Sequence, residues 1–217
     1  MDEAEPVPEP VVRGGTRLRR RPSPGRQARY DDEVRRLIRA AQTVMRRCGT
    51  EETPRVADIL SEASLSNQAF YRHFQGRDDL VVATFEHGLI TLFEYLSHQV
   101  AKERTVEGRI RAWVSGVLVQ LVDPELVELT RAIFWNVNRL PSGRSELEAA
   151  SSERIRGLLV TTLAGSPDPG RDATAITTLV LGMTERFLTT RQTPDPADID
   201  HLVRFCLHAI GEPATPA

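Results

Sequence analysis

What this chain lacks narrows its class quickly. No apolar run approaches the ~20 residues needed to cross a bilayer, and hydrophobic residues make up 40% of the sequence, so a soluble protein without a membrane span is expected. The opening MDEAEPVPEP has none of the apolar core of a signal peptide, which points to the cytoplasm. There are two cysteines, Cys48 and Cys206, far apart and in no CxxC or His-paired arrangement, so neither a metal nor a cofactor is expected and both read as buried or partly buried thiols. The five histidines (His73, His87, His98, His201 and His208) are scattered. There is no GxSxG elbow, no phosphate-binding Walker loop and no HExxH helix, so the sequence does not read as an enzyme. No segment alternates like a strand, and no internal repeat is visible.

What is present is unevenly distributed charge. The formal net charge is −2, yet residues 10 to 80 hold fifteen arginines against nine acids, while residues 81 to 217 hold thirteen basic residues against seventeen acids. Seven of the arginines (Arg13, Arg17, Arg19, Arg20, Arg21, Arg26 and Arg29) precede the first periodic helix in a Pro/Gly-interrupted stretch without acids. Nothing there can bury a core, so residues 1–29 read as a disordered basic arm, either a solvated tail or a segment that also follows DNA.

The run TPRVADILSEASLSNQAFYRHFQGRDDL (residues 53–80) carries the strongest signal. Val56, Ile59, Leu60 and Ala63 recur at helical spacing, Leu65 packs a turn, and Phe70 and Phe74 lie one turn apart on a second short helix. Ser66 is placed to cap that helix by accepting from its first-turn amides. Asn67, Gln68, Tyr71 and Arg72 then fall off the apolar face. Before this run, Val34, Leu37, Ile38, Ala41 and Met45 form one stripe with Gly49 as a stop. The pattern is a three-helix, helix-turn-helix head over residues 30–78.

On these residues the chain resembles the TetR/AcrR family of bacterial repressors. Ala63-Ser64-Leu65-Ser66 stands where that family has an AGVS-type turn, Phe70-Tyr71-Arg72-His73-Phe74 matches its LYxHF-like recognition helix, and Arg77-Asp78-Asp79-Leu80 matches its basic residue and DEL-like start of a long helix. Two departures stand out: Ser64 replaces the usual turn glycine, and Arg77 replaces the common lysine. A serine at φ > 0 carries roughly 1 kcal/mol of strain. The resemblance covers about residues 33–80 and implies double-stranded DNA as a partner. Asn67 and Gln68 are the expected base readers. Tyr71 and His73 are expected on phosphates, as are Thr53 and Arg55 at a helix start and Arg77 beside the fourth helix. Arg72 fits either a phosphate or a guanine.

Beyond the head, helical periodicity continues over about 78–102, 106–122, 124–139, 144–164, 171–190 and 197–210, broken at Pro141-Ser142-Gly143, at Gly165 to Gly170 and at Thr193-Pro194-Asp195-Pro196. The expected fold class is therefore all-α, with a helical regulatory and dimerisation bundle over 79–211 and a disordered tail over 212–217. By resemblance, the last two helices pair with their copies in a homodimer through Ile176, Val180, Met183, Phe187, Leu202, Cys206 and Ile210. The alternative is that these stripes are only intramolecular core. An effector site is likewise expected in the body among Phe85, Leu89, Trp113, Val117, Phe134, Asn138, Met183 and Phe187, with Asn136, Arg131, Glu185 and His87 as polar candidates to orient a ligand. The resulting expectation is a dimeric one-component repressor released from its operator by an apolar or amphipathic small molecule. The rival is a helical protein-protein interaction module that does not use DNA.

Overall fold

A computed structural model describes residues 24–140 and 144–211, and both stretches consist of helices and their connections. In chain order they are α1 (Pro24–Cys48), α2 (Val56–Ala63), α3 (Asn67–His73), α4 (Arg77–Lys102), α5 (Val106–Val122), α6 (Pro124–Val137), α7 (Arg144–Thr162), α8 (Pro169–Thr190) and α9 (Pro196–Ala209). There is no strand among the described residues. The arginines at 13, 17, 19, 20 and 21, the break at 141–143 and the tail 212–217 lie outside them.

One boundary differs from expectation. Residues 24–29, assigned from the sequence to the arm, begin α1. Proline is tolerated in the first turn of a helix, where its missing N–H leaves no bond unmade. Arg29 then finds Glu33 one turn on, at 3.4 Å, the i,i+4 pairing that supports a helix.

Four of the later helix starts have chemical causes that the sequence displays. Thr105 caps α5 by accepting from Gly108 N at 3.0 Å, and Asp123 caps α6 through the amides of Glu125 and Leu126. Asp168 caps α8. At α9, Asp195 and Asp198 bond reciprocally to each other's backbone N–H, with Pro196 between them. Side-chain oxygens in these positions satisfy the amides that a helix start leaves without partners. Gly49 ends α1 at φ +61°, a left-handed turn that costs glycine nothing.

Two apolar cores hold the chain together. The head core joins Leu37, Ala41, Val44 and Met45 of α1 to Ile59 and Leu60 of α2 and to Phe70 and Phe74. It extends into Leu80, Val81 and Phe85 of α4 and into Ala132, Ile133 and Val137 of α6. Helix α6 thus belongs to the head's packing although it lies far along the chain. The body core is built around α5, whose Ile110, Trp113, Val114, Val117, Leu118 and Leu121 meet Leu96 and Val100 of α4, Ile155 and Leu159 of α7, Ile176 and Val180 of α8, and Leu202, Val203 and Cys206 of α9. Helix α4 spans both, contributing its first half to one core and its second half to the other, over a length of ~39 Å for 26 residues. It meets α5 closely: a Cβ on Gly116 would lie 2.5 Å from Leu96 Cδ2.

Candidate nucleic-acid interface and body cleft

The turn of the helix-turn-helix is held by the α1 side chain of Arg36, which donates from Nη2 to the carbonyl oxygens of Ala63 at 2.7 Å and Ser64 at 3.3 Å. Ser64 takes φ 50° and ψ 47°, the left-handed conformation that glycine adopts without strain. Ser66 Oγ accepts from Ala69 N at 3.2 Å and starts α3. Phe70 is fully buried and Phe74 nearly so, and this pins one side of α3 to the head. The opposite side presents Asn67, Gln68, Tyr71 and Arg72 to solvent, with Tyr71 63% exposed. A tyrosine so exposed beside two amides and a guanidinium forms a ridge able to bond to base edges and phosphates.

Three further contacts expected from the sequence, Thr53, Arg55 and Arg77, are also at least partly exposed. Thr53 and Arg55 are exposed at the start of α2. Arg55 is the residue just before the helix, and its side chain makes no capping bond, so the first-turn amides of α2 are not covered by a side-chain cap. Arg77 is one-third exposed and donates from Nε to Asp78 Oδ1 at 2.8 Å.

His73 does not join the ridge. Its side chain is 0% exposed and its Nε2 lies 2.8 Å from Glu33 Oε2, so the expected phosphate contact is corrected: the imidazole faces α1, one residue further round the helix than Arg72. Tyr30 packs edge-on against it, with ring centroids 4.2 Å apart. The same Glu33 oxygen accepts from Arg72 Nη1 at 2.8 Å. Hydrogen bonding from His73, followed by the charge of Arg72, holds the Glu33 carboxyl below its ordinary range against the opposing effect of burial. The sequence shows Glu33 only as one acid among many, four residues beyond Arg29; nothing in it announces a partner forty residues away.

The body contains a partly open cleft of about 1480 Å³ between α4, α5, α6, α7 and α8. Of the residues expected around an effector, Phe85, Leu89 and Phe134 line it. Trp113, Val117, Asn138, Met183 and Phe187 do not. Trp113 is fully buried and donates its indole N–H to the Ile155 carbonyl at 3.3 Å, tying α5 to α7. Val117 and Phe187 are core, Met183 packs against that core, and Asn138 is exposed at the end of α6. Asn136 uses its Nδ2 on the Ala132 carbonyl, Arg131 pairs with Glu128 at 2.7 Å, and His87 is exposed away from the cleft wall. Among the polar candidates, Glu185 alone lines it.

Two lining residues carry signals that periodicity could not supply. Gln42 reaches the cleft from α1, a helix that otherwise serves the head. Thr177 is 3% exposed, and its Oγ1 has no hydrogen-bond partner among the described residues. A buried hydroxyl left so costs about 1–3 kcal/mol. Threonines at 174, 177, 178 and 184 all line the same wall; their crowding on one helix was the available sequence clue.

Five of the seven residues of the expected dimer stripe are covered within the single chain. Ile176, Val180, Phe187, Leu202 and Cys206 lie inside the body core, where burial pushes the Cys206 thiol up to about 11. Met183 and Ile210 are only partly covered and pack against that core. On both helices these buried positions share the core built around α5. The outward side of α9 instead carries His201, Arg204, Phe205 and His208, with Phe205 56% exposed.

No family model matches the chain, and no curated protein matches it by sequence. Its architecture is that of the TetR-family transcriptional regulators. A TetR transcription regulator from Haloarcula marismortui superposes with a TM-score of 0.64 at 16% identity, over 83% of this chain and 97% of its own. NemR of E. coli in its reduced form gives a TM-score of 0.64 at 17% identity, over 84% of this chain and all of its own. FadR of Bacillus subtilis, solved in complex with stearoyl-CoA, gives 0.59 at 16% identity, over 81% and 96%. At these identities the likeness is one of fold. Among the described residues, no helix is long and apolar enough to cross a membrane.

Proposed function

We propose that the protein is a homodimeric one-component transcription regulator, a repressor whose α3 helices bind operator DNA and whose body cleft takes the effector that releases it. The observation that carries this is the split of α3 into a buried Phe70 face and an exposed Asn67, Gln68, Tyr71, Arg72 face. Amides in the first turn of such a helix are suited to adenine edges, and the tyrosine and guanidinium to phosphates. Thr53, Arg55 and Arg77, exposed or partly exposed, are read as contacts to the DNA backbone.

The effector class follows from the cleft walls. Phe85, Leu89, Leu92, Ile133, Phe134 and Leu181 supply apolar surface. The charges at the rim pair with one another, Arg156 with Glu153 and Arg171 with Asp168. The remaining polar groups are hydroxyls and amides, among them Thr177, Thr130 and Gln42, together with the Glu185 carboxylate. The volume exceeds the ~300–1,000 Å³ of common small-molecule sites, which favours a long or multi-ring amphipath with few polar atoms. FadR of Bacillus subtilis was solved with stearoyl-CoA, a ligand with a long acyl chain, and that supports the same class here.

Release requires only that the ligand favour a position of α4 in which two recognition helices no longer match half-sites about 34 Å apart. The outward side of α9, centred on Phe205, supports the pairing of two copies. The test is a mobility shift against duplexes selected from a random-sequence pool. A sequence-preferring, salt-weakened complex of two chains per duplex is expected. Failure to enrich any duplex favours the rival interaction module.

A further inference from the structure

We infer that Glu33 is the positioning residue of the recognition helix, raising its affinity and discrimination for DNA although it places a negative charge beside the DNA-facing ridge. The inference rests on the DNA-binding reading of α3. It starts from the size of that helix: seven residues, Asn67–His73, too few to be stable or to keep an orientation unaided. Phe70 and Phe74 hold α3 against the head, but apolar contacts are non-directional and leave rotation about its own axis weakly specified.

Glu33 supplies the missing direction. Its Oε2 accepts from Arg72 Nη1 and meets His73 Nε2, each at 2.8 Å. Consecutive residues of a helix point about 100° apart, so one oxygen that holds both fixes the azimuth of the whole ridge. The carboxylate is itself buried: its side chain is 8% exposed, and that of His73 0%. Arg29 approaches the other oxygen at 3.4 Å, and Tyr30 lies edge-on to the imidazole. Tyr30 and Glu33 of α1 therefore both meet the last turn of α3, and Arg29 pairs with the Glu33 carboxylate. Charge-assisted bonds of this length are the stronger class. Arg72, half exposed, is held with its guanidinium at the edge of the ridge and not swinging through solvent.

The consequence has a sign that separates it from plain electrostatics. If Glu33 were merely a surface acid, neutralising it would strengthen binding to every DNA, because the phosphates would meet one fewer repelling charge. A positioning role predicts the opposite for specific DNA. The experiment compares wild type, Glu33→Gln, Glu33→Asp, Arg72→Met and Glu33→Gln/Arg72→Met by fluorescence anisotropy on a duplex selected from a random pool and on a scrambled duplex. Glu33→Gln should weaken the selected duplex by about tenfold, the loss of one charge-assisted bond, and leave the scrambled duplex unchanged or tighter. Glu33→Asp keeps the charge but retracts the carboxylate, and should also lower the ratio between the two duplexes. In the Arg72→Met background the Glu33 change should cost less, since one of its partners is gone.

A variant that merely unfolds the head lowers both affinities together and leaves the ratio unchanged, which overturns the inference, as does tighter binding of the selected duplex. A wild type that binds no DNA overturns the reading beneath it as well, whereas a wild type that discriminates normally while the variants keep its ratio overturns this inference alone.

Discussion

Phe85 of α4 and Phe134 of α6 meet edge to face, with ring centroids 5.9 Å apart and planes at 82°. Both rings line the body cleft, and both pack in the head core, Phe85 as a buried member and Phe134 against it. A ligand in the cleft would therefore touch, at this pair, side chains that pack in the head core. Phe134→Ala should cost about 2 kcal/mol of stability through lost burial and a residual cavity. It should also weaken an effector while changing the DNA affinity of the ligand-free protein less than the effector affinity. Thermal melts with titrations of a hydrophobic fluorescent probe in the cleft check both; unchanged probe affinity places the ligand elsewhere.

Thr177 predicts a trade between stability and ligand binding. Replacing its unpartnered, buried hydroxyl with the methyl of valine should leave the ligand-free protein as stable or raise its stability by about 1 kcal/mol. The same Thr177→Val change should weaken any ligand that bonds to the hydroxyl. Calorimetric melting with and without ligand measures the two effects, and a clear destabilisation of the ligand-free protein would show that the hydroxyl already has a partner.

Along the ridge, affinity and preference should separate. Tyr71→Phe removes one hydroxyl from a side chain expected on a phosphate, and should weaken all duplexes to a similar degree. Gln68→Ala should change preference at one operator position by about 1–3 kcal/mol. Binding to a panel of single-base variants of the selected duplex distinguishes them; the same uniform loss for both would remove Gln68 as a base reader.

Pairing of two chains should depend on Phe205 and not on the buried stripes. Phe205→Glu puts a charge on an already exposed position, so the monomer should fold normally, yet a dimer would have to bury that charge unpaired. Sedimentation should show folded monomers, with operator affinity reduced by more than about tenfold as the second half-site is lost. An intact dimer would move the interface away from this side of α9. Leu202→Glu, by contrast, should unfold the body, since Leu202 is part of its core.

Ser64 offers a local test of backbone strain. At φ 50°, serine pays for a conformation that glycine reaches without a Cβ penalty, and Ser64→Gly should stabilise by up to about 1 kcal/mol. That corresponds to about 2–4 °C in melting temperature for a chain of this size. A lower melting temperature would mean that the entropy glycine adds to the unfolded chain outweighs the strain it relieves.

Much of the architecture was legible in the sequence because its causes are local. Helical spacing, Asp and Thr at helix starts, prolines in first turns and Gly49 at a stop act within four residues of themselves, and the observed helices begin and end close to where these signals fall. The αL turn at Ser64 and the cap at Ser66 were readable for the same reason. Tertiary structure alone decided what each apolar stripe faces. Ile176, Val180, Leu202 and Cys206 look the same in sequence whether they meet a copy or α5, and only the position of α5 at the centre of the body settles that they are core. Trp113 and Phe134 are both aromatic residues on amphipathic helices, yet one closes against α7 and the other opens onto the cleft. His73 shows the limit most sharply. Its place in the recognition helix is written in the local pattern, but its burial depends on Glu33, forty residues earlier, and no periodicity carries information over that distance.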